Sequence, residues 1–354
     1  MDQLKPSDLA VHRERATGGL EEIISAVRYV IDGGIDDGGV LLALETLGGD
    51  FDIFRRIQLP FFTHFGPDER YLSQLAAQLA EEAGFPIRTP IIGTFSSTGY
   101  WTIPELVTVC LPAGDHGQLL AFPDLVHELA HILLHEADGG LTSRFLSQSI
   151  GPYATSLGTV DGDPEFADAL HPQYQEWFIE FAADVIATYV CGPAYGWQNV
   201  RLRAQGGSDL AKPWQPAKPA PLGANTEPFS HPADNARATV IGAVLRGTGE
   251  TVAADRIQAE WASLTAHVVQ PPPVYEISYP QSVLDDVVSM TLEWCRDGDL
   301  TPYADADEHA VVAHIGRAWQ LQLADPVAFA ANEDTMVGDL RALVESGAST
   351  DSPS

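Results

Sequence analysis

The sequence predicts an α+β fold that is predominantly helical. Long segments with apolar residues at three- and four-residue spacing, typical of amphipathic helices, lie on both sides of a shorter segment rich in β-branched residues. That shorter segment, 86–112, is interrupted by turn-forming residues, which is typical of a small sheet. Because 354 residues exceed the usual size of one domain, we expect two or three packed subdomains sharing a sizeable core.

We divide the chain into four regions. Residues 1–85 are expected to form a helical N-terminal region, and residues 86–250 the core of the protein. Within that core, the loop 204–232 is too rich in Pro, Ala and Gly for regular structure. Residues 251–345 are expected to form a helical C-terminal region, followed by a disordered tail at 346–354.

Individual elements follow from periodicity and from turn residues. The segment "LLAFPDLVHELAHILLHEAD" has helical length and closes at Gly139–Gly140, where glycine is expected just past a helix end. A second strong helix covers "PQYQEWFIEFAADVIATYVC" and is expected to stop at "GPAYG". The strands are predicted at "IRTPIIGTF" and "LVTVCLP". Further helices are predicted at "GLEEIISAVRYVID", "PDERYLSQLAAQLAEEAG", "ADNARATVIGAVLRG", "AADRIQAEWASLTAHVV", "QSVLDDVVSMTLEWCRDG" and "EHAVVAHIGRAWQLQLA".

The charge balance excludes several classes of partner. The chain carries 49 acidic and 19 basic residues, which gives a net charge of −30. Phosphate groups would be repelled, so we expect no nucleic-acid partner and no anionic membrane surface. The charged first thirty residues lack a signal peptide, and the chain contains no stretch of eighteen apolar residues for membrane insertion. Three cysteines, Cys110, Cys191 and Cys295, lie in apolar stretches, which is typical of buried thiols in the cytoplasm.

The pattern HExxH occurs on the first strong helix, at residues 127–131. Four residues advance a helix by just over one turn, so His127 and His131 point the same way and can share one ion. Glu128 then lies beside the open coordination position, where it can take a proton from a water that the ion activates. Histidine and carboxylate ligands at a tetrahedral site favour Zn²⁺, and we expect one ion per chain.

A third histidine, His135, continues the same row. It lies eight residues beyond His127, which is about 12 Å along the helix axis, whereas zinc–nitrogen bonds are about 2.1 Å. One ion therefore cannot bind both ends of the row. We expect His135 to be a neighbour that is hydrogen-bonded to the site or lines its edge.

The third ligand must come from another element, and the second strong helix offers acidic candidates. Glu180 and Asp184 lie four residues apart in "EFAAD", so they share one helix face. We predict that Glu180 binds the ion and that Asp184 accepts the free ring N–H of a ligating histidine. Glu176 lies on the same face one turn earlier and stays open as the alternative ligand.

Other residues are candidates for stabilising a developing oxyanion. His231, fixed by the following proline in "SHPADNAR", could reach over the metal, with Arg237 as an orienting or charge-neutralising partner. An exposed histidine next to a helix cap is the alternative interpretation of His231. Tyr195 in "CGPAYG" is a weaker catalytic candidate, as is Tyr189, because many such tyrosines are simply core residues.

Taken together, "HELAH…EFAAD…SHPADNAR" resembles the gluzincin metallopeptidases. The ordered trio HExxH, ExxAD and [ST]HP-x-x-x-x-R is similar to that of the CAAX-prenyl-protease and HtpX-like peptidases, and "HELAHILLH" is similar to the ImmA/IrrE-type peptidases. The resemblance implies that His127, His131 and Glu180 bind zinc and that Glu128 is the general base. It also implies a zincin-like catalytic core, made of a small sheet, the HExxH helix and the glutamate-bearing helix, with "LVTVCLP" as the edge strand that binds extended peptide.

These observations lead to an expected function. We expect a soluble zinc-dependent metallopeptidase, an endopeptidase rather than an exopeptidase, that acts on a peptide or protein substrate. Two alternatives stay open: a non-catalytic zinc-containing scaffold that binds a partner, and an HExxH hydrolase of a non-peptide amide.

Overall fold

A computed structural model describes residues 66–96, 99–160, 164–206, 213–214, 216–217, 231–268, 271–308 and 310–347, with a few residues between 14 and 32. The described chain is predominantly helical and contains a three-stranded sheet and a two-stranded one, which confirms the α+β class. Most of the predicted N-terminal region and of the Pro-rich loop, and the tail from residue 348, lie outside the described residues. No described helix is both long and apolar enough to cross a lipid bilayer.

The first complete helix, α1 (Pro67–Glu82), packs directly on the first strand, β1 (Ile92–Ser96). Gly93 makes this close approach possible, because a Cβ built there would lie 2.6 Å from Leu72 Cβ. The Ser73 hydroxyl accepts the Gly93 N–H at 2.9 Å, so a polar contact fixes the register between helix and strand.

The three-stranded sheet differs from the predicted one in its edge. Besides β1 it contains β2 (Trp101–Ile103) and β3 (Thr108–Pro112), in the order β1-β3-β2. β3 pairs parallel with β1 and antiparallel with β2, so it is the central strand of the described sheet. The expectation that "LVTVCLP" forms the edge strand is therefore wrong. The short strand β2, which was not predicted because "SSTGYW" resembles a turn, lies at that edge and packs against the HExxH helix.

Two buried helices form the centre of the protein. α2 (Phe122–Ala137) carries the HExxH pattern and, as predicted, ends just before Gly139–Gly140. Two short elements, α3 (Leu141–Phe145) and α4 (Gly151–Val160), then lead to α5 (Pro164–Cys191), which packs along α2. α5 begins earlier than the predicted helix, since Pro172 does not interrupt it.

The chain turns sharply at the end of α5 and then forms an unpredicted helix. Gly192 has a φ of +57°, and a Cβ built there would lie 2.5 Å from the ring of Tyr303. Glycine is thus required for both conformation and space. The segment "GPAYG" was expected to end regular structure, but α6 (Pro193–Gly206) begins at its second residue and contacts both α2 and α5.

The remainder is helical and joins the same core. β4 (Pro216–Ala217) pairs antiparallel with β5 (His231–Ala233). The later helices are α7 (Asp234–Gly247), α8 (Thr251–Thr265), α9 (Pro273–Ser278), α10 (Gln281–Asp297), α11 (Val311–Ala324) and α12 (Pro326–Gly347). Of these, α9 and α12 were not predicted. α11 and α12 pack on α1, and a single cluster of buried apolar residues includes side chains from both ends of the described chain.

Candidate metal centre

Three predicted ligands meet between α2 and α5. Nε2 of His127 lies 3.2 Å from Nε2 of His131, and the Glu180 carboxylate oxygens lie 3.6 Å and 3.5 Å from these two nitrogens. One ligand atom from each side chain lies within 4.8 Å of the others, a spacing suited to one metal ion. The HExxH spacing places both histidines on the α2 face that packs against α5, where Glu180 is located.

The structure separates Glu180 from the alternative ligand and from the third histidine. Glu176, one turn earlier on α5, is exposed and does not belong to the ligand group. His135 is also exposed, near the C-terminal end of α2, and it too lies outside the group. Its exclusion from the ligands agrees with the axial rise of the helix. Its predicted role at the edge of the site stays a prediction, since the structure shows only that the side chain is exposed.

A buried polar cluster lies behind His127, on the Nδ1 side of its ring. Asp184 Oδ1 is 3.2 Å from Nδ1, and the hydroxyl oxygen of Tyr195 is 3.0 Å from it. The Tyr195 hydroxyl also donates a short hydrogen bond to Asp184 Oδ1. Arg237 donates from Nε to Asp184 Oδ2 at 2.7 Å and from Nη2 to Oδ1 at 2.6 Å. Asp184 therefore contacts His127 as predicted, within a larger cluster.

The structure also shows where three other predicted residues lie. Tyr195 was a candidate for stabilising an oxyanion, but its buried hydroxyl contacts Nδ1 of His127, the side opposite the ligand atom Nε2. Tyr189 lies nine residues beyond Glu180 on α5, about 13 Å along the axis, and lines a separate pocket. Arg237 forms an ion pair with Asp184, and its Nη1 lies 3.9 Å from Oε2 of Glu180, so its positive charge faces two carboxylates.

Glu128, the predicted general base, directly follows His127 on α2 and does not belong to the ligand group. The residue is buried, with 7% of its surface exposed. Burial, together with the nearby charges of Glu180 and Asp124, raises the pKa of Glu128 to about 8. A carboxyl with such a pKa is mostly protonated at neutral pH, and a cation close to it would lower the pKa by favouring the carboxylate.

The two motif histidines have opposite electrostatic environments. Burial would lower the pKa of His127, but its contacts with Asp184 and Glu180 raise it to about 10. Burial lowers the pKa of His131 to about 4 despite the opposing charge of Glu180. The surroundings of His127 thus favour the charged form of its ring, whereas those of His131 disfavour it.

His231 lies at the rim of the site. Its Nε2 is 3.6 Å from Glu180 Oε2, and its side chain is 45% exposed, compared with 9% and 12% for His127 and His131. β5, which pairs with β4 and precedes α7, places the histidine there. Its position beside the ligand group agrees with the prediction that it reaches over the metal site.

Sequence reasoning missed a second contact between α2 and α6. Gln198 Nε2 donates to Asp124 Oδ2 at 2.6 Å, and both side chains are buried. Asp124 lies three residues before His127 on α2, and Gln198 lies three residues after Tyr195 on α6. An acidic residue on the apolar face of "FPDLVHELAH" was the available signal, because a buried carboxylate needs a partner.

Comparison of the chain with protein-family models, with curated proteins and with solved structures finds no match.

Proposed function

We propose that the protein is a zinc-dependent metallopeptidase whose ion is bound by His127, His131 and Glu180. The single observation that supports this most is the convergence of two imidazole nitrogens and a carboxylate from two helices into one group. Two histidines and one carboxylate are a ligand set of catalytic zinc sites, which bind the ion through three side chains and leave a fourth position open.

The chemistry of Glu180 provides an independent test of the fit. Its Oε2 atom is buried and has no hydrogen-bond partner among the described residues, although nitrogens of His127, His231 and Arg237 lie 3.6, 3.6 and 3.9 Å from it. A buried carboxylate oxygen without a hydrogen bond is costly, and buried charges are usually hydrogen-bonded, paired or bound to metals. A cation among His127, His131 and Glu180 would satisfy this oxygen, so the residues fit the proposed group.

The chain's own residues would divide the remaining work. Zinc in such a site supplies a Lewis acid that polarises a carbonyl and activates water. Glu128, whose ionised form a neighbouring cation would favour, would take the proton of the attacking water and return it to the leaving amine. His231, at the rim, is the side chain placed to donate a hydrogen bond to the substrate oxygen. Asp184 and Arg237 keep His127 in place from behind.

A peptide substrate is supported by the neighbouring sheet. β2 is the edge strand that packs against α2, and an edge strand has backbone groups that can pair with an extended chain. The small sheet, the HExxH helix and the glutamate-bearing helix are the parts of a zincin-like core. We propose that core for the chain, with β2 in the role that the sequence assigned to β3.

The test compares Glu128→Gln with wild type. We expect elemental analysis to give one zinc per chain in both proteins, and a proteome-derived peptide library to be cleaved by wild type alone. Glu136→Gln, the same substitution at an exposed position on α2, is the matched control and should keep both zinc and cleavage.

The other outcomes identify the alternatives. Zinc in both proteins with no cleavage by wild type would support the scaffold. Cleavage of simple amides but not of peptides would support the non-peptide hydrolase. A wild-type protein that takes up no zinc under metal-replete conditions would refute the proposed site.

A further inference from the structure

Tyr195 has a position that the proposed reaction does not use directly. It lies on α6, it is 1% exposed, and its ring stacks beside that of His127 with an interplanar angle of 8°. Its hydroxyl oxygen is the closest polar atom recorded for Nδ1 of His127, at 3.0 Å. A tyrosine hydroxyl can donate one hydrogen bond and accept others, so it can connect two groups.

The hydrogen-bond capacity of Asp184 decides how the protons are arranged. A carboxylate oxygen offers about two lone-pair sites. Oδ1 of Asp184 accepts one hydrogen bond from Arg237 Nη2, at 2.6 Å, and a second, short one from the Tyr195 hydroxyl. These two donors occupy Oδ1, and Oδ2 accepts Arg237 Nε at 2.7 Å. The ring N–H of His127 would be a third donor to Oδ1, at the longer distance of 3.2 Å.

We propose that Tyr195 is the positioning residue of the metal centre: His127 donates its Nδ1 hydrogen to the Tyr195 oxygen, and the Tyr195 hydroxyl donates to Asp184. The hydrogen bonds then run from His127 through Tyr195 to Asp184, which Arg237 holds by two hydrogen bonds. This arrangement occupies Nδ1 and leaves Nε2 of His127 as the atom that would bind the ion. This inference rests on the proposed zinc site for its functional meaning, but the proton arrangement can be tested separately.

Helix α6 makes a second hydrogen bond to α2, and this contact supports the positioning role of Tyr195. Tyr195 and Gln198 are three residues apart on α6, and their partners His127 and Asp124 are three residues apart on α2. Residues three apart share one face of a helix, so one face of α6 contacts one face of α2. The pair of contacts prevents α6 from sliding or rotating, and this fixes the Tyr195 hydroxyl relative to the imidazole.

The test uses Tyr195→Phe, which keeps the ring and removes the hydroxyl. The matched control is Tyr174→Phe, because Tyr174 is equally buried and donates to the Ser278 carbonyl, away from the metal centre. The first readout is the Nδ1 proton resonance of His127 in metal-free protein labelled with ¹⁵N-histidine, assigned with His127→Gln. The second readout is the zinc dissociation constant, measured by chelator competition.

We expect Tyr195→Phe to shift the His127 Nδ1 proton and Tyr174→Phe to leave it in place. We also expect about tenfold weaker zinc binding for Tyr195→Phe. This is the small end of the loss usual when the hydrogen-bond partner of a ligating histidine is removed, because Asp184 can still accept the Nδ1 hydrogen of His127. An unshifted proton would overturn the arrangement, and unchanged zinc affinity would overturn the positioning role. If wild type binds no zinc, the proposed function fails while the proton readout still decides the arrangement.

A second measurement tests the same hydrogen bond without a substitution, in case Tyr195→Phe does not fold. Wild-type protein produced with 3-fluorotyrosine keeps every ring and hydroxyl but makes the hydroxyls more acidic, and hence poorer acceptors. We expect the His127 Nδ1 proton to shift in this protein. An unshifted resonance would show that Tyr195 is not its acceptor.

Discussion

Asp184→Asn should destabilise the protein strongly. The substitution removes the negative charge that pairs with Arg237 through two hydrogen bonds. The carboxylate is fully buried and accepts two hydrogen bonds from the guanidinium, at 2.6 and 2.7 Å. Hydrogen bonds to charged groups contribute about 1.5–3 kcal/mol each, and removal of one partner of a buried ion pair costs about 3–5 kcal/mol. We therefore expect the free energy of unfolding to fall by about 3–5 kcal/mol.

That loss corresponds to a measurable change in melting temperature. The entropy of unfolding is about 2.1 cal/mol/K per residue, or roughly 0.7 kcal/mol/K for 354 residues. The melting temperature should thus fall by about 4–7 °C, measured by scanning calorimetry on chelator-treated protein so that zinc does not contribute. Asp68→Asn is the matched control, because Asp68 and Arg341 form an exposed pair at 3.5 Å, worth about 0–1 kcal/mol.

The pH dependence provides a second check on the same residue. Burial would raise the pKa of Asp184, but Arg237 and His127 hold it well below its ordinary value. A carboxyl with a depressed pKa in the folded state stabilises the protein above its unfolded pKa of about 3.9, and this contribution is lost as the pH falls. The difference between wild type and Asp184→Asn should be largest near pH 7 and shrink below about pH 4. A pH 7 difference no larger than that of the control would refute this reasoning.

Three further predictions concern the ligands and the packing of the sheet. Glu180→Gln should weaken zinc binding at least tenfold in chelator competition, whereas Glu176→Gln should leave it unchanged. If only Glu176→Gln weakened zinc binding, Glu176 and not Glu180 would be the ligand. His135→Gln should keep wild-type zinc affinity, because the side chain is exposed. A large loss of zinc affinity would show that His135 contributes to the metal site. Gly93→Ala should cost about 1–3 kcal/mol in chemical denaturation, because its Cβ would overlap α1. Gly117→Ala, with open space around the Cβ, is its control, and equal stabilities would refute the close packing.

The secondary structure was predictable where the periodicity was strong. α2 and α10 follow from apolar spacing and from glycine at their ends, and both match the structure closely. β2 was missed because a three-residue strand next to turn-forming residues carries too few positions for a period to appear. α6 was missed because Gly192 and Pro193 resemble the end of regular structure, whereas glycine here only redirects the chain between two helices.

Sequence alone determined the half of the site that one helix can present. The HExxH spacing fixes the relative directions of His127 and His131, because four residues make just over one helical turn. It likewise removed His135 from the ligands by axial rise alone. These conclusions require only local geometry, which the backbone of a single helix imposes.

The tertiary structure decided everything that depends on two elements meeting. Both Glu180 and Glu176 lie on one face of α5, and only the packing of α5 against α2 places Glu180 at the histidines and leaves Glu176 exposed. The place of Tyr195 behind His127 depends on the turn at Gly192, which brings α6 back onto α2. No local pattern encodes such a contact, because it arises from the burial of apolar surface shared by helices far apart in the sequence.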